Sequence, residues 1–238
     1  MKVSDVVSVS KVRRTNRNIR GGEPRDRSQI ICQPVAAQAS VCSDLPYNRP
    51  YYMIVKALDP ETWPAYARLI EKHNGVWGGC WCLRFHQKGT GSFEQNRDVK
   101  HQLVCEGKSK AAVVFDGENA IGWCNYGRRE LLPRIKHKKR YATVVQEEAD
   151  WRITCFFIDR DYRGRGIAQI ALNGALELIA LEGGGLVESF PEDASGRKTS
   201  GAFLYNATLS IFDRAGFDRI EKIGMHHWLV TKQVNAQA

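Results

Sequence analysis

The chain has no run of apolar residues approaching the ~18 that a membrane-spanning helix needs, so no membrane partner is expected. It also lacks a paired cysteine framework. Its seven cysteines, Cys32, Cys42, Cys80, Cys82, Cys105, Cys124 and Cys155, are odd in number and scattered, with Cys124 and Cys155 inside strand-like apolar runs. That pattern suits a reducing compartment. Residues 1–10 hold no apolar core of signal-peptide length, and Asp5, Glu23 and Asp26 argue against reading the Arg-rich residues 13–20 as a transit peptide. The expected location is the cytoplasm. Cys80-Trp81-Cys82 is a C-x-C without a second pair, and His86 is its nearest further ligand, so no metal is expected. A Cys82/His86 nucleophile lacks an orienting third group.

Acid is scarce in two places. Residues 1–30 hold eight basic side chains against three acidic, and residues 128–140 hold seven against one, so these two segments account for the net charge of +9. Positive potential of this kind attracts phosphates, RNA or an acidic acceptor, and a solvated loop or tail is the alternative. The apolar fraction of 43% and charged fraction of 26% are those of a soluble globular protein. The length allows one domain of about 180 residues plus a tail. Residues 1–48 mix Arg, Ser, Gly, Gln and Pro without periodicity and read as a basic, disordered extension. Residues 49–238 read as the domain.

Within that domain, residues 51–58 predict a strand, and Asp59-Pro60 a helix start leading to Lys72. Val76-Trp77-Gly78-Gly79-Cys80-Trp81-Cys82-Leu83 is an aromatic, glycine-rich segment whose pattern assigns it to neither helix nor strand. A helix is expected over 93–106, strands over 110–115 and 119–126 joined by Asp116-Gly117-Glu118, and a basic loop before the next strand. After residue 181 the pattern predicts a strand over 185–190, a helix over 202–215, and strands over 217–223 and 226–231. His226 and His227 would face opposite sides of that last strand, which suits packing or surface roles better than a pair of ligands.

The most informative stretch is residues 151–168. The apolar run Trp151 to Ile158 breaks at Asp159 into Arg160-Asp161-Tyr162-Arg163-Gly164-Arg165-Gly166-Ile167-Ala168. Apolar positions at three- and four-residue intervals follow from Ile170 to Leu181, and Gly183-Gly184-Gly185 then stops the helix. The order is strand, glycine turn, helix. The first amides of a helix have no intrahelical partner and carry the positive end of the peptide dipoles. Gly164 and Gly166 allow a sharp turn, and Arg163 and Arg165 add charged donors, which together favour a pyrophosphate.

At these residues the chain resembles the GNAT superfamily of acyl-CoA-dependent N-acetyltransferases. Tyr162 to Ala168 is similar to the family's pyrophosphate turn, Arg-Gly-x-Gly-Ile-Gly/Ala, with Asp161 where the family often has Gln or Arg. Leu209 to Phe217 is similar to its late helix ending in Gly-Phe. The resemblance spans about Tyr51 to Val234. It implies an α/β (α+β) fold of order βααβββαβαββ, with a central, mostly antiparallel, splayed sheet flanked by helices. It also implies direct transfer of acetyl from acetyl-CoA to an amine on a small molecule or peptide. Arg163, Gly164, Arg165, Gly166, Ile167 and Ala168 would then hold the pyrophosphate, and main-chain groups of Phe156, Phe157 and Ile158 the pantetheine arm.

Direct transfer needs a base for the amine and an acid for the departing thiolate. The family often supplies the acid as a Tyr four residues before the Gly-Phe pair, where this chain has Phe212. Tyr205 is the candidate acid, with solvent or reduced catalysis as alternatives. Glu188 is the candidate base, with an ordered water as its alternative. Trp77, Cys80, Trp81 and Cys82 are expected to line the acceptor pocket, in a segment similar to Trp-Gly-Gly-Cys-Trp-Cys stretches of uncharacterised bacterial acetyltransferases. A longer acyl chain stays open, as does oligomeric state, with a dimer among the options. A weakly catalytic or non-catalytic module of the same fold, binding RNA or a ribonucleoprotein through the basic segments, is the less favoured alternative.

Overall fold

In the computed structural model, which describes residues 6–7, 53–76, 78–86 and 91–237, the elements run in the following order. They are β1 (Val6–Val7), β2 (Met53–Ala57), α1 (Trp63–Lys72), α2 (Phe93–Cys105), β3 (Lys110–Asp116), β4 (Asn119–Arg128), α3 (Lys138–Val144), β5 (Trp151–Ile158), α4 (Ile167–Leu181), β6 (Gly185–Ser189), α5 (Leu209–Arg214), β7 (Asp218–Lys222) and β8 (Trp228–Val234). The strands form one sheet of order β1-β2-β3-β4-β5-β6-β8-β7. Every neighbouring pair is antiparallel except β5 and β6. From β2 onward the order is the expected one with α3 inserted. Of residues 1–48, only Val6–Val7 lie among those described, and they pair with Val55 and Lys56.

Strand alternation builds two cores. In β3, Ala112 and Val114 face a layer completed by α4 and α5, whereas Ala111, Val113 and Phe115 face one completed by α1 and α2. Both faces are covered, which is why β3 reads as a continuous apolar run. On the α4 side Gly174 allows close contact, because a Cβ there would lie 2.5 Å from Val55 Cγ1.

Several elements differ from expectation for identifiable reasons. Helix α1 starts at Trp63 rather than Pro60, because the Asp59 carboxylate captures the amides of Glu61 and Thr62 at 2.8 Å in a preceding turn. The helix expected over 202–215 is a 3₁₀ segment, Gly201–Asn206, and then α5. Between them Ala207 has φ +58°, and the chain bonds to Glu192 in both directions: Glu192 N donates to Ala207 O, and Leu209 N to Glu192 O. The basic loop contains α3, fastened by Tyr141, whose ring meets Phe190 edge-on at 5.6 Å. The final strand is Trp228–Val234 rather than 226–231; buried His227 and half-buried His226 precede it. Among the described residues no helix is long and apolar enough to cross a membrane.

Candidate active site

Strand β5 gives way to the glycine turn where Asp159 points inward. Its carboxylate accepts from Lys72 Nζ at 2.8 Å and lies 3.3 Å from His73 Nε2, while Asp161 accepts from the same ammonium at 2.9 Å. These bonds, Asp159 first and Asp161 second, raise the Lys72 ammonium above its ordinary value. Asp161 therefore ties the turn to the end of α1. A 3₁₀ turn, Arg160–Tyr162, follows.

Beyond it, Gly164 and Gly166 have φ of +75° and +78°, and a Cβ on either would meet only open space. Residues 163–166 are exposed. The amides of Gly164, Gly166, Ile167 and Ala168 make no hydrogen bond to another described residue, and the 15-residue α4 starts at Ile167. Unpaired donors at the positive end of a helix, reached through an exposed turn, make an anion site with room for a diphosphate. Arg165 lies over the Tyr162 ring at 5.2 Å.

The other end of β5 explains the slot beside it. Strands β5 and β6 pair at only two positions, Trp151↔Val187 and Arg152↔Glu188, although β5 has eight residues. Past that point the Ile153 carbonyl accepts from Ser189 Oγ at 3.0 Å, and β5 and β6 make no further strand pairing. Asp159 N donates to Ile121 O, so by ladder alternation Phe157 directs its N–H and C=O towards β4, and Phe156 and Ile158 direct theirs into the slot. Of the three residues expected to hold a pantetheine arm, two have the appropriate direction. Phe157 instead stacks its ring on Trp123 at 4.8 Å on the α1 side.

A bulge in mid-strand then decides which side chains face the opposite layer. Asn125 pairs with Cys155 but Tyr126 with Ile153, so Thr154 is an extra residue. Trp151 and Ile153 share the α4 face with Phe156, whereas Cys155 and Phe157 turn to the α1–α2 face. Cys155 thereby meets Cys80, Cys82 and Phe85 in a cavity of about 320 Å³, which Tyr205 borders from the 3₁₀ segment. Arg134, Ile135 and Lys136 close its rim together with Arg84. Two residues expected in an acceptor pocket and the expected acid thus border one space. Sequence reasoning missed the basic rim, the bulge and Phe85. The run of charge at 128–140 was the available signal for the rim. Burial first, and then Cys155 and Glu192, raise the Tyr205 hydroxyl above its ordinary value, so it keeps its proton at neutral pH.

Other expected site residues belong elsewhere. Trp77 lies outside the described residues. Trp81 is a core residue, 1% exposed and stacked on Trp63 at 5.6 Å, and does not line the cavity. It keeps φ +47°, next to Cys82 at +59°. The close approach that Gly79 permits is to Phe93, 2.9 Å from where a Cβ would sit. Phe212 is fully buried, edge-on to Phe156 and Phe217. Glu188, expected as the base, is 1% exposed and has both oxygens engaged. Oε1 accepts from Arg152 Nε at 2.7 Å and from Nη2, and Oε2 accepts from Tyr141 OH at 2.9 Å. That geometry makes it the buried counter-ion of Arg152, with no access to the cavity.

Beneath the thiols lies a buried cation. Lys100 Nζ, fully buried, donates to Ser109 Oγ at 2.6 Å and Asn125 Oδ1 at 3.2 Å, and burial lowers its pKa. The Cys155 thiol donates to Cys82 sulfur and lowers Cys82 to about 7 against the effect of burial, with Lys100 contributing next. Tyr66 O–H and Trp123 N–H have no oxygen or nitrogen partner and lie against the same sulfur. His86 does not reach Cys82 as an activating base. Its Nε2 is 3.4 Å from Ser109 Oγ, and burial followed by Lys100 pushes its pKa down to about 3. Among the described residues no three His, Cys, Asp or Glu side chains converge as a metal site.

Residues 80–193 match the model of the Acetyltransferase (GNAT) family. No curated protein matches the chain. Among solved structures, an acetyltransferase from Thermus thermophilus is similar at 15% identity over 76% of this chain and 96% of its own, with a TM-score of 0.43. A GNAT-family acetyltransferase from Streptococcus agalactiae is similar at 14% over 79% and 97%, with a TM-score of 0.44. The ribosomal-protein-S18-alanine N-acetyltransferase from Escherichia coli is similar at 9% over 78% and 96%, with a TM-score of 0.42.

Proposed function

Since the chain belongs to the GNAT acetyltransferase family and is an acyltransferase, we propose that it transfers acetyl from acetyl-CoA directly to an amine bound in the cavity beside Cys155 and Tyr205. The observation that carries this reading is the layout of β5. One end opens into an exposed glycine turn with unpaired helix amides, the residues just before it border a slot where β6 has diverged, and Cys155 in mid-strand lines the cavity. Gly164 to Ala168 and Arg163 receive the pyrophosphate, and main-chain groups of Phe156 and Ile158 hold the pantetheine arm. The catalytic domain is taken as residues 49–238, in the cytoplasm.

The amine lone pair attacks the acetyl carbonyl, the carbon–sulfur bond breaks, the departing thiolate takes a proton from Tyr205, whose raised pKa keeps it a donor, and the proton lost by the nitrogen passes through solvent to restore the phenol. No carboxylate lines the cavity among the described residues, so the amine must react from its neutral form. The rim cations favour that form. At a separation on the order of 8 Å and an effective dielectric of about 20, each disfavours an ammonium by roughly 2 kcal/mol before salt screening.

Amine-dependent release of coenzyme A, followed with a thiol reagent across an amine panel, tests the reading. Release with at least one amine, together with a rise in melting temperature on adding acetyl-CoA, is expected. No release and no shift would reject it. The nucleic-acid alternative has less support. Of the seven basic residues at 128–140, Arg128 covers the Trp151 ring at 3.9 Å, Arg129 pairs with Glu148, and Arg140 lies 3.9 Å from Glu221.

A further inference from the structure

We infer that the acceptor amine carries its own anionic group, a carboxylate or phosphate a few bonds away, and that Arg84, Arg134 and Lys136 bind it. This deepens the acetyl-transfer reading of the same cavity and rests on it. The three cations come from two separate segments of chain, and all are exposed, whereas Cys80, Cys82 and Cys155 beneath them are buried. The two segments are joined by a main-chain bond from Arg134 N to Phe85 O at 3.3 Å, so the cations are presented from a common frame.

None of the three forms an ion pair with a described carboxylate. Glu192, which lines the adjoining cavity together with Lys136, is already paired with Arg197 through Oε1. Three uncompensated cations repel a simple ammonium and attract a ligand that brings negative charge. Guanidinium groups suit a carboxylate or phosphate because they can donate two parallel bonds.

The cofactor's diphosphate has its own donors elsewhere. The turn begins at Asp159, four residues or about 13 Å along the chain from Cys155, and supplies the free amides of Gly164, Gly166, Ile167 and Ala168. The size of the cavity restricts the ligand further. About 320 Å³ lies at the low end of small-molecule sites, which fits a compact amino acid or amino-phosphate with its amine directed inward to Tyr205 and its anion outward to the rim.

Matched probes test this in the full chain: L-alanine against L-alaninamide, L-aspartate against L-aspartic acid diamide, and O-phosphoethanolamine against ethanolamine. The anionic member of at least one pair is expected to show a kcat/KM at least ten-fold higher, with the amino-acid and phosphate pairs distinguishing the two sources of charge. In Arg134→Gln/Lys136→Gln that ratio should approach one, chiefly through KM, while acetyl-CoA affinity measured by calorimetry stays at the wild-type value. Equal turnover within every pair, or no turnover of any anionic probe while acetyl-CoA binds, would overturn the inference and leave the parent reading standing. Loss of acetyl-CoA affinity in the double variant would also overturn it, by assigning the rim to the cofactor. Failure of the wild-type chain to bind acetyl-CoA would instead reject the parent reading.

Discussion

Replacing Glu188 by Gln separates a structural carboxylate from a catalytic one. Arg152 is 3% exposed at its side chain, lies between the rings of Tyr141 and Phe190 at 5.8 and 5.5 Å, and has Glu188 as its charged partner. The substitution leaves the guanidinium buried with the Leu132 carbonyl and a neutral amide. Breaking a buried pair from one side costs about 3–5 kcal/mol, a large share of the 5–15 kcal/mol that typically holds a domain together. With a urea dependence of about 2–3 kcal/mol per molar, the midpoint should fall by roughly 1–2.5 M. Urea unfolding followed by tryptophan fluorescence measures this, and turnover assayed on the folded fraction supplies the second reading. Turnover should stay within a few-fold of wild type, with the same pH profile. Arg152→Met/Glu188→Leu, which leaves no charge behind, should recover most of the lost stability. A midpoint near wild type in Glu188→Gln, with turnover abolished and the acidic limb of the pH profile gone, would restore Glu188 as the base and refute the argument.

Acid should destabilise the protein through His86. The native pKa of about 3 lies below the unfolded value near 6.5, so between these pH values the unfolded chain binds more protons and stability is lost as the pH drops. The loss from this residue is about 2 kcal/mol by pH 5, and His86→Gln should flatten the dependence of the urea midpoint between pH 7 and 5. Gly174→Ala should cost about 1–3 kcal/mol by overpacking against Val55, with Val55→Ala in the same chain recovering part of it. Additive losses in that pair would contradict the contact. Tyr205→Phe should lower kcat by roughly ten- to a hundred-fold through loss of the acid, with acetyl-CoA affinity unchanged; an unaltered kcat would leave protonation to solvent.

The strand–turn–helix at 151–181 was legible because three local signals agree there: a continuous apolar run, paired glycines and a helical apolar stripe. The strand at 110–115 was equally legible from its composition. Non-local contacts were not. Thr154 carries no bulge signature of its own, yet it sets which way Cys155 points, and the register with Asn125 decides it. The helix break at Ala207 depends on Glu192, 15 positions earlier in the chain. Glu188 lies on the expected strand, but the cation that neutralises it comes from β5 and its second donor, Tyr141, from a helix hidden in a basic segment. A carboxylate's role depends on its neighbours, and strand position alone could not tell a free base from a buried counter-ion.

The central claim is that the exposed turn after β5 receives the diphosphate of acetyl-CoA, and titration calorimetry with Gly164 variants tests it most directly. Gly164→Ala introduces only the strain of a side chain at φ +75° in open space, whereas Gly164→Glu adds a negative charge beside the helix amides. Saturable binding by the wild-type chain, modest weakening in Gly164→Ala and at least a ten-fold further loss in Gly164→Glu is the predicted order. Equal affinity for acetyl-CoA in Gly164→Glu and Gly164→Ala, or no binding by the wild-type chain, would contradict it.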